Sequence, residues 1–265
     1  MKERIVECIN ILGAFCGKRD VPFLTKKELK NKYGIDQADV MVLFGGSILC
    51  GGDVLAEAMQ AQAAGKYIIV GGAGHTTETL RLKMNAEFPE IKTKGLPEAK
   101  IFEAYLETRY GLHADFLECN STNCGNNITY LLELLKTNRI SCKSIILAQD
   151  ATMQHRMEAG LRKYAPDMNI INYAVYDAKV VLKNSEPVFE KEIWGMWDMN
   201  RYINLLMGEI VRLSDDCAGY GPKGKNFIAH VDIPAQVREA FSELEKEYIG
   251  MVREADPQYA STGNR

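Results

Sequence analysis

The feature of this sequence that most restricts its fold is a series of short apolar segments, most of which end in glycine or a small polar residue. The segments occupy residues 39–44, 67–70, 114–119, 144–148 and 169–175. Apolar runs of about four to eight residues between turn residues are typical of strands that are buried on both faces. Because parallel sheets covered by helices bury their strands in this way, the segments predict the strands of a parallel sheet.

Helical patterns fill the intervals between these segments. Residues 54–64 are rich in alanine, and Ile128, Leu131 and Leu135 recur at helical spacing before the fourth segment. Strands that alternate with helices are joined by right-handed crossovers, which place helices on both faces of the sheet. We therefore predict an α/β fold, with a Rossmann-like, mostly parallel five-stranded sheet and helices on both faces.

The two ends of the chain lack this alternation and are predicted to be helical. Thr25 and Glu28 form a capping box at the start of a short helix that ends at Gly34. Beyond about residue 180 the strand pattern fades, and residues 197–213 and 234–252 have the pattern of long helices. We predict N-terminal helices over residues 1–36, a Rossmann-like α/β domain over 37–180 and a C-terminal helical region over 181–265. The sequence leaves open whether the terminal helices form a separate domain.

Composition and charge argue against several classes of partner. The formal net charge is −3 and the pI is about 5.9, so the chain lacks the excess of lysine and arginine that nucleic acid or an anionic membrane requires. Seven cysteines without a CxxC pair fit reduced thiols better than disulfides or a zinc site. No apolar run approaches the ~20 residues of a membrane-spanning helix, and no signal peptide is evident. We expect a cytoplasmic protein that binds a small molecule and neither nucleic acid nor membrane; its oligomeric state is left open.

Four successive predicted strands are followed by glycine or by small hydrogen-bonding residues. These residues are Gly45, Gly46 and Ser47 after the first strand, Gly71, Gly72, Gly74 and His75 after the second, Glu118, Ser121, Asn123 and Asn127 after the third, and Gln149 and Asp150 after the fourth. In an open parallel sheet, ligands bind outside the carboxyl ends of the strands. The general preference of turns for such residues explains any one of them. Four together favour a binding site for a small polar ligand, nucleotide-sized or smaller.

The order of these motifs is similar to that of the YdcF-like family, bacterial proteins related to SanA and ElyC. The resemblance spans roughly residues 38–175 and rests on Gly-Gly-Ser after the first strand, Gly-Gly-x-Gly after the second and Glu-x-x-Ser-x-Asn from Glu118. The motif Gln-Asp-x-Thr-Met from Gln149 resembles the YdcF branch most closely. The resemblance implies a Rossmann-like fold with a helical accessory part. It also implies a nucleotide-like ligand, for which S-adenosylmethionine is the suggested cofactor.

The sequence departs from the family pattern at several positions. Cys124 and Asn126 stand where many relatives have Thr and Glu, which removes an acidic side chain from this motif. Relatives often have His-Met-x-Arg after the fourth strand. Here Thr152 replaces the histidine, and either His155 or Arg156 corresponds to the arginine. We include Arg156 among the predicted ligand-binding residues.

The same strand ends supply groups for binding and for catalysis. We expect backbone amides to hold a carboxylate or phosphate, and Glu118 or Asp150 to accept hydrogen bonds from a ribose or an amine. The alternative function is a hydrolase or transferase acting on a nucleotide or phosphorylated metabolite, with His75, Glu118 or Asp150 as its acid–base group. No metal site is predicted, because paired-ligand spacing such as His-x-x-x-His is absent. Ser47 lacks the Gly-x-Ser-x-Gly context of a hydrolase nucleophile, so we predict that it caps a helix.

Two further signals bear on the site. Residues 219–225 nearly match a phosphate-binding P-loop, but Asn226 replaces the magnesium-binding Ser or Thr, so we predict a mobile loop over the site. Trp194, Trp197 and Arg201 have the spacing of one helical face. Core packing is the simpler interpretation. The alternative is an aromatic wall that closes the site, with Arg201 meeting a carboxylate or phosphate.

Overall fold

The computed structural model describes residues 2–74 and 76–248. Within these ranges the helices are α1 (Lys2–Cys16), α2 (Lys26–Tyr33), α3 (Cys50–Gln60), α4 (Thr77–Glu87), α5 (Glu98–Tyr110), α6 (Cys124–Thr137), α7 (Gln154–Tyr164), α8 (Met199–Leu213) and α9 (Ala235–Glu247). The strands are β1 (Ala38–Phe44), β2 (Ala64–Val70), β3 (Phe116–Glu118), β4 (Ser144–Ala148), β5 (Asn169–Asn172), β6 (Val180–Lys183) and β7 (Glu186–Phe189). Residues 249–252 of the last predicted helix lie outside the described residues. None of the helices in these ranges combines the length and apolar character needed to cross a membrane.

The five predicted strands form one parallel sheet, which confirms the predicted Rossmann-like α/β fold. The strand order is β3-β2-β1-β4-β5. At the centre, Val40 of β1 is in register with Lys66 of β2 and with Ile145 of β4. The chain runs outward through β2 and β3 and then crosses back over β1 to β4, so its direction across the sheet reverses between β1 and β4. Such a switch point is where open parallel sheets bind ligands.

The central strand β1 sends its side chains alternately to two apolar clusters. Val40, Val42 and Phe44 are buried in a cluster with residues of α6 and α7. Met41 and Leu43 are buried in a larger cluster with residues of α3 and α5 on the other face. Because helices cover both faces, β1 and β4 are buried up to their carboxyl ends, from which the following turns begin.

The terminal segments complete the larger cluster and do not build a core of their own. Leu12 of α1, Tyr202 of α8 and Leu244 of α9 are buried in the same cluster as Met41 of β1. The helix α1 packs against both α8 and α9. One continuous apolar core therefore joins the N-terminal and C-terminal helices to the sheet.

The C-terminal region begins with a β-hairpin that the sequence prediction missed. Strands β6 and β7 pair antiparallel, and Asn184 and Ser185 between them have positive φ values of 52° and 63°. Two consecutive residues with positive φ are typical of the type I′ turn of a two-residue hairpin. Each strand has only four residues, which leaves too short a run for a periodic pattern to stand out.

Candidate ligand-binding site

A pocket lies at the carboxyl edge of the sheet, beside the switch point between β1 and β4. It is lined by Gly45, Gly72, Gly74, Thr76, Glu98, Ser121, Thr122, Asn123, Cys124, Asn127, Gln149, Asp150, Thr152, Met153, Trp197, Arg201 and Leu205. Its empty volume, counted out to the open side, is about 600 Å³. The turns after four successive strands thus converge on one pocket, which α8 and the segment before it close from outside.

Gln149, the first residue after β4, brings an unsatisfied donor into the pocket wall. The residue is 1% exposed, and its Oε1 accepts a hydrogen bond from the N–H of Asp150 (2.7 Å). Its Nε2 has no hydrogen-bond partner among the described residues. A buried polar group without a partner costs about 1–3 kcal/mol. An acceptor on a bound ligand would offset this cost.

Asp150 is occupied on both carboxylate oxygens by donors from the protein. Oδ1 accepts from the N–H and the hydroxyl of Thr152 (both 2.9 Å) and from the hydroxyl of Tyr176 (2.6 Å). Oδ2 accepts from the indole N–H of Trp197 (3.1 Å). The carboxylate therefore joins the turn after β4 to the segments after β5 and before α8. Asp150 is therefore an anchor of the pocket wall.

Glu118 shapes the turn after β3 and does not line the pocket. Its Oε1 accepts hydrogen bonds from the N–H groups of Asn120 (2.6 Å) and Ser121 (3.1 Å). The hydroxyl of Ser121 accepts from the N–H of Gly72 (3.1 Å), and Oδ1 of Asn123 caps a backbone N–H in the first turn of α6 (3.0 Å). These bonds bring the amino end of α6 to the pocket, where its partial positive charge favours an anion.

The predicted glycines differ in what surrounds them. A Cβ atom added to Gly72 would lie 2.1 Å from the carbonyl oxygen of Ser121, so this glycine lets two backbone segments touch. A Cβ atom added to Gly46 would have no neighbour closer than Oε1 of Gln149, at 3.8 Å. Gly46 lines a smaller adjoining cavity. The sequence analysis expected a ligand to approach the backbone closely at Gly72. In the structure the backbone of the turn after β3 occupies that position instead.

Glu98, the first residue of α5, is a buried acid in the pocket wall that the sequence did not single out. Its Oε1 accepts hydrogen bonds from the hydroxyls of Thr76 (3.2 Å) and Thr77 (2.8 Å). A Cβ atom on Gly45 would lie 2.7 Å from Oε2 of Glu98, and one on Gly71 would lie 2.9 Å from its Cβ. These two glycines make room for the glutamate. Burial raises the pKa of the Glu98 carboxyl, although the threonine hydroxyls act in the opposite direction.

The raised pKa of Glu98 predicts a pH dependence of stability that Glu98→Gln removes. An acid with a higher pKa in the folded protein stabilises the fold at low pH, and this contribution is lost as the pH rises above the ordinary value of 4.5. We expect the free energy of unfolding of E98Q, relative to the wild type, to increase between about pH 4 and about pH 7. The increase is about 1.4 kcal/mol for each pH unit that separates the two pKa values. Urea unfolding at a series of pH values measures it, and a difference that stays constant would contradict the assignment.

The outer wall of the pocket combines the start of α8 with the segment before it. The helix α8 begins at Met199 with Asp198 as its cap, so the predicted single helical face for Trp194, Trp197 and Arg201 is wrong. Trp194 packs against aromatic rings of the core. Trp197 and Arg201 line the pocket, as in the alternative of an aromatic wall. The Arg201 guanidinium lies 5.7 Å from the Trp197 ring centroid and forms no ion pair with a carboxylate among the described residues.

Lys83 of α4 holds this outer wall against the turn after β1. Its Nζ donates to the carbonyl oxygen of Ser47 (3.3 Å) and to that of Gly195, and lies 4.8 Å from the centroid of the Trp197 ring. Burial lowers the pKa of Lys83, while the charge of Asp150 opposes the shift. The lysine therefore ties the β1 turn, the segment before α8 and the indole together.

Arg156 of α7 lies outside the pocket lining and forms a buried ion pair with Glu209 of α8. Its Nη2 donates to Oε1 of Glu209 (2.9 Å), and its Nε donates to Oε2. Burial alone would lower the pKa of Arg156, but Cys124 and Glu209 raise it well above its usual range. Arg156 therefore links α7, α8 and the start of α6 behind the pocket, a positioning role different from the predicted ligand contact.

Two other predicted features do not form. Ser47 is buried with no partner for its hydroxyl among the described residues, and Leu49 occupies the cap position of α3, so the predicted serine cap is wrong. The loop at 219–224 folds back on the end of α8, where the N–H of Gly221 donates to the carbonyl oxygen of Ser214 (3.1 Å). It contributes nothing to the pocket lining, so the predicted loop over the site is not found there.

The pocket contains about half of the predicted binding residues. The structure places Gly45, Gly72, Gly74, Ser121, Asn123, Asn127, Gln149 and Asp150 in its lining. Gly46, Ser47, Gly71, Glu118 and Arg156 are not in the lining, and His75 lies outside the described residues. Thr122 and Cys124 also line the pocket, within the stretch from Ser121 to Asn127 that the sequence places at the site. The lining residues that sequence reasoning did not propose are Thr76, Glu98, Thr152, Met153 and Leu205. No sequence signal marks Glu98.

No protein-family model matches the chain. Membership of the YdcF-like family therefore stays a prediction from the motifs at the strand ends.

Proposed function

We propose that the protein binds a small anionic ligand, nucleotide-sized or smaller, in the pocket at the switch point. The observation that carries the proposal is the buried Nε2 of Gln149, which lacks a partner among the described residues. It lies in the same pocket as the amino end of α6, which begins at Cys124. A neutral amide donor and a helix amino end both favour a carboxylate or phosphate oxygen.

One charged side chain of the pocket lining, Arg201, supports an anionic group on the ligand, whereas the other two, Glu98 and Asp150, are acids. Arg201 offers a guanidinium that pairs with no carboxylate in the described part of the chain, and arginine binds carboxylates and phosphates through paired N–H groups. The negative charge of Asp150 is already met by four donors. The positive charge of Arg201 is therefore free to act on a ligand.

S-adenosylmethionine is the ligand that the family resemblance suggests, and the anion-binding groups fit its carboxylate as they fit a nucleotide phosphate. When bound, it would supply a transferable methyl group. The turn after β1 lacks the Gly-x-Gly-x-Gly loop usual in methyltransferases, so we propose binding without assigning a reaction. The alternative of a hydrolase or transferase stays a prediction, and the occupied carboxylates of Glu118 and Asp150 do not favour it.

Thermal unfolding against a panel of nucleotides, S-adenosylmethionine analogues and phosphorylated sugars tests the proposal. A ligand at about one hundred times its Kd raises the free energy of unfolding by about 2.7 kcal/mol, which is a clear shift of Tm. A hit with S-adenosylmethionine would support the resemblance as well as the site. A flat response to every anion of the panel would contradict the proposal.

Replacing Arg201 by glutamine should weaken the binding of S-adenosylmethionine or adenosine 5′-monophosphate at least about tenfold, because a charge-assisted hydrogen bond contributes about 1.5–3 kcal/mol. The stability of the free protein should change by less than about 0.5 kcal/mol, since Arg201 has no ion pair to lose among the described residues. Calorimetric titration measures the affinity. Arg4→Gln removes the same charge from the surface of α1 and is the matched control. Equal affinities of R201Q and R4Q would contradict the role of Arg201.

A further inference from the structure

Glu98 is fixed at the end of β2 by its own backbone. Its N–H donates to the carbonyl oxygen of Gly72 (2.9 Å), and the N–H of Ala99 donates to that of Gly71 (2.8 Å). The start of α5 is therefore tied to the strand end, and the glutamate side chain lies against Gly45 and Gly71. Because two glycines and two backbone bonds define this position, the carboxylate has little freedom to turn away from the pocket.

One oxygen of this carboxylate is left without a donor. The hydroxyls of Thr76 and Thr77 both donate to Oε1. Oε2, the oxygen beside Gly45, accepts no hydrogen bond from the described residues, and Gly45 and Glu98 both line the pocket. Asp150, the other acid of the pocket lining, receives donors on both oxygens. Glu98 therefore brings to the pocket an oxygen with no donor from the described residues, whereas each oxygen of Asp150 has at least one.

No cation of the described residues neutralises Glu98 by direct contact. Arg81 is the positive charge that acts on it, but this guanidinium donates to the carbonyl oxygen of Leu96 (2.8 Å) and pairs with Glu78 (3.0 Å). A carboxylate oxygen that accepts nothing from the protein has both lone pairs available to a donor. A ligand in the pocket is in the position to supply that donor.

We infer that Glu98 binds hydroxyl groups of the ligand, so that the ligand is a sugar derivative that also carries an anionic group, such as a nucleotide or a sugar phosphate. The inference rests on the proposed function, which assigns the anion to Gln149, Arg201 and the amino end of α6. A carboxylate that accepts from sugar hydroxyls while a helix amino end holds the phosphate is a common division of roles in parallel α/β sheets. The pocket then recognises both ends of one molecule.

The inference is tested by calorimetric titration of two probes, inorganic phosphate and ribose 5-phosphate, into the wild type and Glu98→Gln. The wild type should bind ribose 5-phosphate at least about tenfold more tightly than phosphate, because the sugar adds hydrogen bonds to Glu98. In E98Q the two affinities should agree within about threefold, because the sugar loses its charged acceptor. Glu103→Gln, which removes the same charge from the same helix outside the pocket lining, should keep the wild-type ratio.

A second measurement needs no variant and guards against a folding defect in E98Q. Pentyl phosphate has a similar length but no hydroxyl groups, so it should bind the wild type no more tightly than inorganic phosphate does. If E98Q keeps the wild-type ratio, or if pentyl phosphate binds as well as ribose 5-phosphate, the inference is overturned while the proposed anion site stands. If neither phosphate nor ribose 5-phosphate binds the wild type, this inference is overturned, and the proposed function fails as well if the thermal-unfolding panel is also flat.

Discussion

Replacing Gly72 by alanine should lower the free energy of unfolding by about 3 kcal/mol or more and abolish ligand binding. The added Cβ would lie 2.1 Å from the carbonyl oxygen and 2.8 Å from the nitrogen of Ser121. Both are backbone atoms, so no side chain can rotate away, and the turn after β3 must move. Overpacking of a buried site typically costs about 1–3 kcal/mol and more where the backbone is displaced. The displaced turn carries the amino end of α6, which explains the expected loss of binding.

Gly46→Ala is the matched control for this experiment. Neither Gly46 nor Gly72 has a positive φ, so alanine is conformationally allowed at both, and the two differ only in their surroundings. With 3.8 Å to its nearest neighbour, an added Cβ on Gly46 should change stability by less than about 1 kcal/mol. Urea unfolding followed by circular dichroism gives both values. Equal unfolding midpoints for G46A and G72A would show that the contact with Ser121 yields easily.

The second large effect is expected for Glu209→Gln, which should cost about 3–5 kcal/mol. Glu209 is 1% exposed and pairs with Arg156, and Arg212 lies 3.7 Å away. Removing one partner of a buried ion pair leaves an uncompensated charge in the interior, and mutational studies place the cost in this range. Because the pair joins α8 to α7, and α8 carries Arg201 and Leu205, ligand binding should weaken as well.

Glu186→Gln breaks an ion pair of the same type at the surface and serves as the control. Lys2 and Glu186 lie 2.9 Å apart, but their side chains are 56% and 70% exposed. Exposed pairs contribute about 0–1 kcal/mol, so E186Q should unfold close to the wild type in urea. A cost for E209Q no larger than that for E186Q would mean that solvent or a rearranged neighbour compensates Arg156.

The fold could be predicted because its local signals agree with one another. The strands β1 and β4 are buried runs between turn residues, and Thr25 caps α2 as expected, with Oγ1 accepting from the N–H of Glu28 (3.3 Å). The other half of the predicted capping box does not form, because the N–H of Thr25 donates to the carbonyl oxygen of Phe23 (3.0 Å). Gly34 ends α2 with a φ of 71°. The signals weaken at the edges, where the third predicted strand shortens to Phe116–Glu118. Edge strands and hairpins with four-residue strands bury fewer side chains, so their apolar pattern in the sequence is weaker.

The part of the site that lies at strand ends could also be predicted. Parallel strands bring their carboxyl ends to one edge, so position in the sequence implies position in space for residues such as Gln149 and Ser121. Glu98 and Trp197 reach the same pocket by tertiary contacts instead. Glu98 docks on the end of β2 through backbone bonds, and Trp197 meets Asp150 across 47 residues of chain. Neither contact has a local sequence signature.

The glycines show that the sequence predicts which residues lie at the strand ends but not what approaches them. Gly45 and Gly71 were expected to admit a ligand, yet Glu98 occupies the space beside both. Glycine reports only that something approaches the backbone closely. Whether the neighbour is a ligand or another part of the chain depends on packing, which a single sequence does not contain.

The pocket requires stretches of the chain that are distant in sequence, because hydrogen bonds at Asp150 join them. The carboxylate holds Tyr176 and Trp197, and α8 adds Arg201. Local unfolding that separates α8 from α1 and α7 would remove Arg201 from the pocket and break the contact of Trp197 with Asp150. The complete site therefore requires α8 and the segment before it to be docked. A bound ligand therefore disfavours the partly unfolded form in which α8 is undocked. Ligand binding should accordingly increase the protection of α8 amides against hydrogen exchange.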